Sequence, residues 1–310
     1  MGAVHLYLVR HGESVDNVAN LYAGSRDAPL TSHGVLQARR LGEHLATRTA
    51  AASAPITHIF SSNLQRAHRT AMLVAPTIPV PSALEDGGAP PSSSSVAVLK
   101  QTIGVATLQL PELREKHFGT GEGQRFGVRS SGDRHEGAED QDSMRVRAER
   151  FVDEYLAPLF ACVEGEQEQE QHVAVACGTE SIVIVAHGII LGVLARVLLA
   201  AGNFGSPATG SSDQQQQHFS WSNTGYLLMH VKTMPPVVDA KEPAAGSRSG
   251  TQEAKWPRLK LEIVDVNCTD HLRGLKKTRG GIGSAKFDEK QKTLNAFFTP
   301  TASKRKREES

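Results

Sequence analysis

Two histidines in the sequence stand between a short apolar stretch and the start of another segment. Arg10-His11-Gly12 follows the stretch 4–9, and His187-Gly188 follows the stretch 181–186. Short runs rich in Val, Ile and Leu predict buried parallel strands, and glycine predicts a turn after each of them. A histidine in such a turn can contact a ligand bound at the strand ends, so both are candidate site residues.

A third turn adds another cation to this candidate site. Arg66 lies one turn into the helix that follows the predicted strand 56–60. Open α/β sheets bind ligands at the carboxyl ends of their strands, where we expect these side chains to meet. Two arginines and two histidines repel one another unless an anion lies between them, and arginine matches phosphate with paired hydrogen bonds. The backbone N–H of Gly188 can also approach that anion closely.

The arrangement of apolar stretches predicts the fold class. Strands alternate with amphipathic helices, which is typical of an α/β protein with a mainly parallel sheet and helices on both faces. The expected strands are 4–9, 56–60, 181–186, 224–231 and 259–266. The expected helices are 35–46, 64–73, 139–160 and 189–201.

The domain organisation follows from changes in composition along the chain. We expect one catalytic domain over 1–272, followed by a basic tail over 273–310 with 11 Lys and Arg against 4 Asp and Glu. The tail has no apolar periodicity, which predicts disorder. Stretches rich in proline, glycine, serine or glutamine predict insertions in the domain, near 79–110, 124–138, 203–218 and 233–257.

Composition excludes several classes of protein. The 310 residues carry a formal charge of +1, and the excess of acidic residues before 273 argues against a nucleic-acid-binding domain. Three cysteines without paired spacing argue against a disulfide scaffold or a zinc site and favour a reducing compartment. The apolar stretch 181–202 contains a charge and a His-Gly pair, so it predicts a strand, a turn and a helix rather than a membrane span. The amino terminus shows no signal-peptide pattern, and we expect no membrane association.

Several motifs together resemble one family. Residues 8–17, Leu-Val-Arg-His-Gly-Glu-Ser-Val-Asp-Asn, resemble the signature of the histidine phosphatase superfamily, which has the phosphoglycerate-mutase-like fold. Other stretches are similar to that family in the same order, and the resemblance extends over about 1–272. These stretches are 29–34 with 37–38, 60–67 with 70–71, 113–119, 185–188 and 264–272.

The resemblance implies a role for each matching residue. It makes His11 the nucleophile that forms a phosphohistidine, with Arg10, Arg66 and His187 binding the phosphoryl oxygens. It further implies that Asn17 and Gly188 bind the same group, that Gly24 belongs to a substrate loop, and that Glu115 transfers protons. Glu112 and Glu122 lie close enough in sequence to replace Glu115. No metal or cofactor is expected, because the cationic side chains would neutralise the phosphate.

Departures from the mutase pattern favour hydrolysis of a phosphomonoester. Asp16 stands where the glycolytic mutases have tryptophan, Phe118 stands where they have tyrosine, and the loop 22–27 differs. Phosphoglycerate-mutase-type transfer remains the alternative, and a scaffold without turnover is a second one. Sugar phosphates, nucleotides, phosphoproteins and phosphoglycerate are all compatible substrates.

The tail contains two further motifs. Its segment 291–298 resembles the box with which replication and repair proteins bind the sliding clamp PCNA, and 304–307 is a basic run typical of nuclear import signals. The alternative for the box is that it packs back on the catalytic domain. The basic run beside this box leads us to expect a nuclear or cytoplasmic protein. The clamp-binding residues would be Gln291, Leu294, Phe297 and Phe298.

Overall fold

A computed structural model describes residues 3–75, 106–127, 135–161, 179–201, 219–233, 259–278 and 281–289. Six strands form one sheet. They are β1 (Val4–Arg10), β2 (Ile56–Ser62), β3 (Thr107–Leu110), β4 (Glu180–Ala186), β5 (Tyr226–Thr233) and β6 (Leu259–Cys268). No helix in the described ranges combines the length and the apolar character that a bilayer crossing requires.

Helices connect these strands. They are α1 (Val15–Val18), α2 (Ser32–Ala51), α3 (Gln65–Val74), α4 (Gln141–Phe151), α5 (Ala157–Ala161) and α6 (Gly188–Ala201). A π-helical turn, Val152–Leu156, joins α4 to α5, so the predicted helix 139–160 is a nearly continuous rod. The side chain of Thr31 caps α2 by accepting a hydrogen bond from the N–H of Gly34, at 3.0 Å.

The sheet order is β3-β2-β4-β1-β5-β6. The first four strands run parallel, whereas β5 is antiparallel to both β1 and β6. The predicted α/β class is therefore confirmed, with an antiparallel strand beside the central pair. In that central pair Arg10 of β1 lies opposite Ala186 of β4. The residues that follow, His11 and His187, consequently leave the sheet side by side.

The core lies on both faces of the sheet. Successive side chains on a strand point to opposite faces. Leu6 and Leu8 of β1 accordingly pack with α4 and α6, whereas Tyr7 and Val9 pack with α2 and α3. The same alternation holds along β4. Both faces are therefore covered, which accounts for the mainly apolar sequences of the central strands.

Two of the predicted insertions are partly described by the structure. The segment 79–110 ends in β3, which pairs with β2 at the sheet edge, and residues 76–105 lie outside the described residues. Most β3 side chains are partly or fully exposed, so the strand carries little apolar signal. The segment 124–138 is described at 124–127 and 135–138, where it contacts the cleft described below. The expected insertions 203–218 and 233–257 lie outside the described residues except at 233.

The first part of the basic tail is attached to the domain, which corrects the expectation of disorder from residue 273. The backbone of Ala285 accepts a hydrogen bond from the N–H of Ser32, at 3.0 Å, and the N–H of Phe287 donates to Leu30, at 3.1 Å. Lys277 forms an ion pair with the Glu13 carboxylate, at 2.9 Å. These contacts are mainly backbone and charge contacts, which leave no apolar period in the sequence. We refer to residues 273–289 as the arm; the motifs at 291–298 and 304–307 lie outside the described residues.

Candidate active site

The four parallel strands deliver the candidate catalytic residues to one cleft. β1 ends at Arg10 and is followed by His11, and β4 is followed by His187. β2 leads to Arg66 in α3, and β3 leads through a 3-10 turn to Glu115. Four of these five side chains line one cleft of about 520 Å³ with Asn17, Gly24 and Gly188, and His187 lies directly behind them against His11. The geometry therefore brings together every site residue predicted in the domain.

The main chain orients the imidazole of His11. Its Nδ1 lies 2.7 Å from the carbonyl oxygen of Gly12, which can only accept a hydrogen bond. Nδ1 therefore carries the proton, and Nε2 keeps its lone pair. This is the tautomer that a nucleophilic histidine requires.

Arg66 bridges the two histidines. Its Nε lies 3.3 Å from Nε2 of His11 and 3.2 Å from Nδ1 of His187. Its two terminal nitrogens donate to carbonyl oxygens of the loop before α2, Nη1 to Arg26 at 2.5 Å and Nη2 to Gly24 at 2.7 Å. The side chain is 1% exposed. The guanidinium is therefore held in one orientation, with its charge beside both imidazoles.

Among the buried donors without a hydrogen-bond partner in the described residues, two belong to Arg10 and His187. They are Nε2 of His187 and Nε of Arg10. Because Nδ1 of His187 accepts from Arg66, its Nε2 carries the proton and can only donate. Arg10 itself is held by a bond of 2.6 Å from Nη1 to the carbonyl oxygen of Trp221. Buried donors are nearly always paired in proteins, so this pair predicts an acceptor-rich ligand such as a phosphoryl group.

Burial and positive charge keep both histidines neutral. Desolvation, followed by the charges of Arg66 and Arg10, lowers the pKa of His11 well below its ordinary value. Desolvation and then Arg66 lower the pKa of His187 in the same way. Burial also lowers the pKa of Arg10 and Arg66, although the negative charge of Glu115 opposes this. Arginine remains charged at any ordinary pH, so the site combines two neutral imidazoles with two cations.

Glu115 occupies the amino terminus of α6. Its carboxylate accepts hydrogen bonds from the N–H groups of Ile189 and Ile190, both at 3.2 Å. A helix amino terminus attracts negative charge. The two alternatives from the sequence are placed differently: Glu122 binds Ser25 through both carboxylate oxygens, and neither it nor Glu112 lines the cleft. Of these three glutamates, Glu115 is therefore the one whose side chain lines the cleft.

Asn17 is held by a residue that the sequence did not single out. Asn223 donates from Nδ2 to Oδ1 of Asn17 and to the carbonyl oxygen of His11, both at 3.1 Å. Ser14 N–H also donates to Oδ1 of Asn17. Because Oδ1 accepts these bonds, Nδ2 of Asn17 is free to donate toward the cleft. Asn223 precedes β5 in a turn without a matching motif, so no pattern identified it.

The loop that contains Gly24 is fastened at both ends. Gly24 has a φ of +48°, and a Cβ there would lie 2.3 Å from Oε1 of Glu122, so a side chain cannot be accommodated. Asp16, which is buried, pairs with Nε of Arg26 at 3.1 Å. Asp16, which departs from the mutase pattern, therefore anchors the loop whose carbonyl oxygens accept the hydrogen bonds of Arg66.

Aromatic side chains form the walls of the cleft, and the sequence analysis identified only Phe118 among them. Tyr22 packs on Phe118 and Phe126 at centroid distances of 4.8 and 4.4 Å. Phe219 and Trp221 line the same cleft. Phe118 thus contributes an apolar surface where a tyrosine would present a hydroxyl group. Aromatic residues in separate loops carry no periodic signal that would reveal a shared site.

Comparison with known proteins agrees with this geometry. Residues 6–87 match the histidine phosphatase superfamily (branch 1). This match lies in the amino-terminal part of the chain, which is similar to that superfamily. A probable phosphatase from Schizosaccharomyces pombe is 28% identical over 297 residues, covering 94% of this chain and 78% of the relative. The probable phosphoglycerate mutase GpmB of Photorhabdus laumondii is 26% identical over 262 residues, covering 78% of this chain and 97% of the relative.

Solved structures share the fold of this chain. A phosphoglycerate mutase from Bacillus anthracis is similar with a TM-score of 0.53 and 18% identity, covering 88% of this chain and 96% of that one. The structure titled Mycobacterial hydrolase 1 is similar with a TM-score of 0.50 and 18% identity, covering 86% and 100%. The similar proteins thus include a probable phosphatase and phosphoglycerate mutases by name.

Proposed function

We propose that this chain hydrolyses phosphomonoesters through a phosphohistidine formed on His11. The observation that carries the proposal is the position of Nε2 of His11, unprotonated and 3.3 Å from the Arg66 guanidinium. A neutral nucleophile beside a cation can attack a dianionic phosphoryl group without first losing a proton. Arg10, Arg66 and His187 then stabilise the charge on the phosphoryl oxygens during transfer.

The reaction has two steps. In the first, Nε2 of His11 forms a bond to phosphorus while the bond to the ester oxygen breaks, and Glu115 in its protonated form donates its proton to that oxygen. In the second, water attacks phosphorus, Glu115 takes a proton from the water, and the phosphorus–nitrogen bond breaks to release phosphate. Glu115 serves as acid and then as base, so the enzyme returns to its starting state.

Steady-state hydrolysis of phenyl phosphate tests the proposal. We expect His11→Asn to lower kcat by about 10⁴-fold or more, because the covalent route is removed. His68→Asn is the matched control, since His68 lies in α3 outside the cleft and is hydrogen-bonded to Gln109 at 3.3 Å. Equal rates for wild type and His11→Asn would overturn the proposal.

Phosphoryl transfer between positions of a substrate is the second candidate function, favoured by the names of the bacterial relatives. The two functions differ in the acceptor that meets the phosphohistidine. Loading the enzyme with labelled phosphate and adding phosphoglycerate distinguishes them. We expect the label to appear as inorganic phosphate, because Phe118 presents no hydroxyl group and Asp16 fastens the loop differently from the mutase pattern. Recovery of the label in bisphosphoglycerate would support the mutase.

For the tail we propose clamp docking in the nucleus through Gln291, Leu294, Phe297 and Phe298, with 304–307 as the import signal. The spacing of the three apolar residues supports it, because one helical turn would place them on the same side. We expect Phe297→Ala with Phe298→Ala to abolish binding to PCNA and to leave hydrolysis unchanged. Unchanged affinity would refute docking. Equal and negligible hydrolysis by wild type and His11→Asn would leave the scaffold alternative.

A further inference from the structure

One face of α6 extends the cleft away from the phosphoryl site. Gly188, Gly192 and Arg196 are spaced by four residues, so they lie on the same face of the helix, and all three line the cleft. Gly192 lies about 6 Å from Gly188 along the helix axis. Arg196 folds back toward Gly192, because a Cβ at Gly192 would lie 3.8 Å from Nη1 of Arg196. The guanidinium therefore lies one turn beyond the phosphoryl site.

The indole of Trp221 runs beside the same helix face. Its Cβ lies 3.9 Å from a Cβ built at Gly188, and its Nε1 lies 3.8 Å from one built at Gly192. Nε1 is buried and has no hydrogen-bond partner among the described residues. Two nitrogen donors, Nε1 of Trp221 and the cationic guanidinium of Arg196, thus border the space above Gly192. Within the described ranges Arg196 forms no ion pair, and Glu115, the acid that lines the cleft, is bound at the opposite end of the face.

We propose that this face is a second subsite, which binds an anionic group on the substrate through Arg196. The proposal rests on the proposed phosphatase function and narrows its substrate class. The substrate is a phosphomonoester with a flat body, which packs against the aromatic walls, and with a carboxylate or second phosphate about 6–8 Å from the phosphorus. Trp221 forms the side of this subsite and presents a donor but no acceptor toward it.

The separation fits a single aromatic ring between the two anionic groups. One turn of α6 separates Gly188, which adjoins His187, from Gly192, which lies beside the Arg196 guanidinium. A para-substituted phenyl ring places a carboxylate at about this distance from an ester phosphorus. Arginine also forms paired hydrogen bonds with a carboxylate. A neutral amide of the same shape cannot form a charged pair with Arg196.

The test compares 4-carboxyphenyl phosphate with 4-carbamoylphenyl phosphate. We expect Arg196→Gln to lower the ratio of their kcat/KM values about tenfold, and added salt to reduce this effect because Arg196 is exposed. The different leaving groups do not affect the comparison, since each substrate is compared with itself across variants. Arg39→Gln is the matched control, because Arg39 is an exposed arginine of α2 that does not line the cleft, and we expect it to leave the ratio unchanged.

The outcomes separate this inference from the proposed function. If Arg196→Gln leaves the ratio unchanged while both esters are hydrolysed, the subsite is overturned and the phosphatase stands. If wild type hydrolyses neither ester, the phosphatase fails, and calorimetric binding of both esters to wild type and Arg196→Gln decides the subsite. Tighter binding of the carboxylate that depends on Arg196 supports the subsite; equal binding overturns it.

Discussion

The imidazole rings of His11 and His187 lie with their centroids 4.9 Å apart and their planes inclined by 62°. They follow the two central strands, which run parallel with Arg10 opposite Ala186. The N–H of His11 donates to the carbonyl oxygen of Ala186, at 2.9 Å, so the two strand ends are hydrogen-bonded to each other. The sheet thereby brings together two residues that lie 176 positions apart in the chain.

Replacing Arg66 with lysine tests whether the guanidinium geometry matters beyond its charge. Lysine keeps the charge but cannot contact both imidazoles and the two loop carbonyls at once. We expect kcat/KM for phenyl phosphate to fall about 10²- to 10³-fold. Arg69→Lys, on the same helix but partly exposed, should change it by less than about twofold. A similar loss in both variants would contradict the account.

The lowered pKa of His187 predicts how stability depends on pH. As the pH falls, the imidazole of His187 takes up a proton near pH 6.5 in the unfolded chain but only at lower pH in the folded protein. The folded state therefore has its full stability above pH 6.5 and loses stability as the pH falls below it. We expect His187→Asn to reduce the slope of the unfolding free energy between pH 6.5 and 5 by about 1.4 kcal/mol per pH unit. Denaturant unfolding at several pH values measures this slope.

The half-exposed His117 provides the control for that slope. We expect His117→Asn to leave it close to the wild-type value. An unchanged slope in His187→Asn would mean that the buried imidazole accepts a proton as readily as in the unfolded chain. That result would contradict the neutral pair on which the mechanism depends.

The close approach of Gly12, Glu13 and Gly34 predicts a strong effect of one methyl group. A Cβ at Gly34 would lie 2.1 Å from the carbonyl oxygen of Glu13, and one at Gly12 would lie 2.6 Å from that of Gly34. Both clashes involve backbone, so the nucleophile turn must move. We expect Gly34→Ala to lower the unfolding free energy by about 3 kcal/mol.

Gly192→Ala is the control for this clash, because a Cβ there has no neighbour closer than 3.8 Å. In the middle of α6 the exchange should stabilise the protein by about 0.5–1 kcal/mol. Thermal or denaturant unfolding of both variants provides the comparison. Equal stability of Gly34→Ala and wild type would show that the turn is not packed as described.

Two truncations separate the arm from the tail beyond it. A chain ending at residue 272 loses the bonds to Leu30 and Ser32 and the ion pair of Lys277 with Glu13. We expect it to lose about 2–3 kcal/mol of stability and to turn over more slowly, because Glu13 adjoins the nucleophile turn. A chain ending at Glu289 should match the full chain in both measurements. Identical behaviour of the shorter chain would show that the arm does not support the site.

Much of the site follows from the sequence because its residues lie next to strands. His11, His187 and Arg66 each follow a short apolar run, and parallel strands bring their carboxyl ends together whatever the loops contain. Glu115 was identified only through the family resemblance, since the exposed strand β3 that delivers it lacks an apolar pattern. The sequence also did not predict that β5 is antiparallel, because a short apolar run does not indicate the direction in which a strand pairs.

The contacts that the sequence did not reveal come from distant turns and from the arm. Asn223 and Trp221 reach the site from the turn before β5, and nothing in their spacing indicates contact with Asn17 or Arg10. The arm binds through backbone groups, which any residue except proline supplies. Arg196 resembles a surface residue of an apolar helix until the two glycines before it are seen to open its face to the cleft.

Identification of the phosphorylated residue tests the central claim most directly. Wild-type enzyme is mixed with phenyl phosphate, quenched in alkali within the first turnovers, digested and examined by mass spectrometry, since phosphohistidine survives alkali. The account predicts a phosphate on the peptide that contains His11, attached at Nε2, and none in His11→Asn. Phosphate found on another residue, or undiminished hydrolysis in His11→Asn, would contradict it.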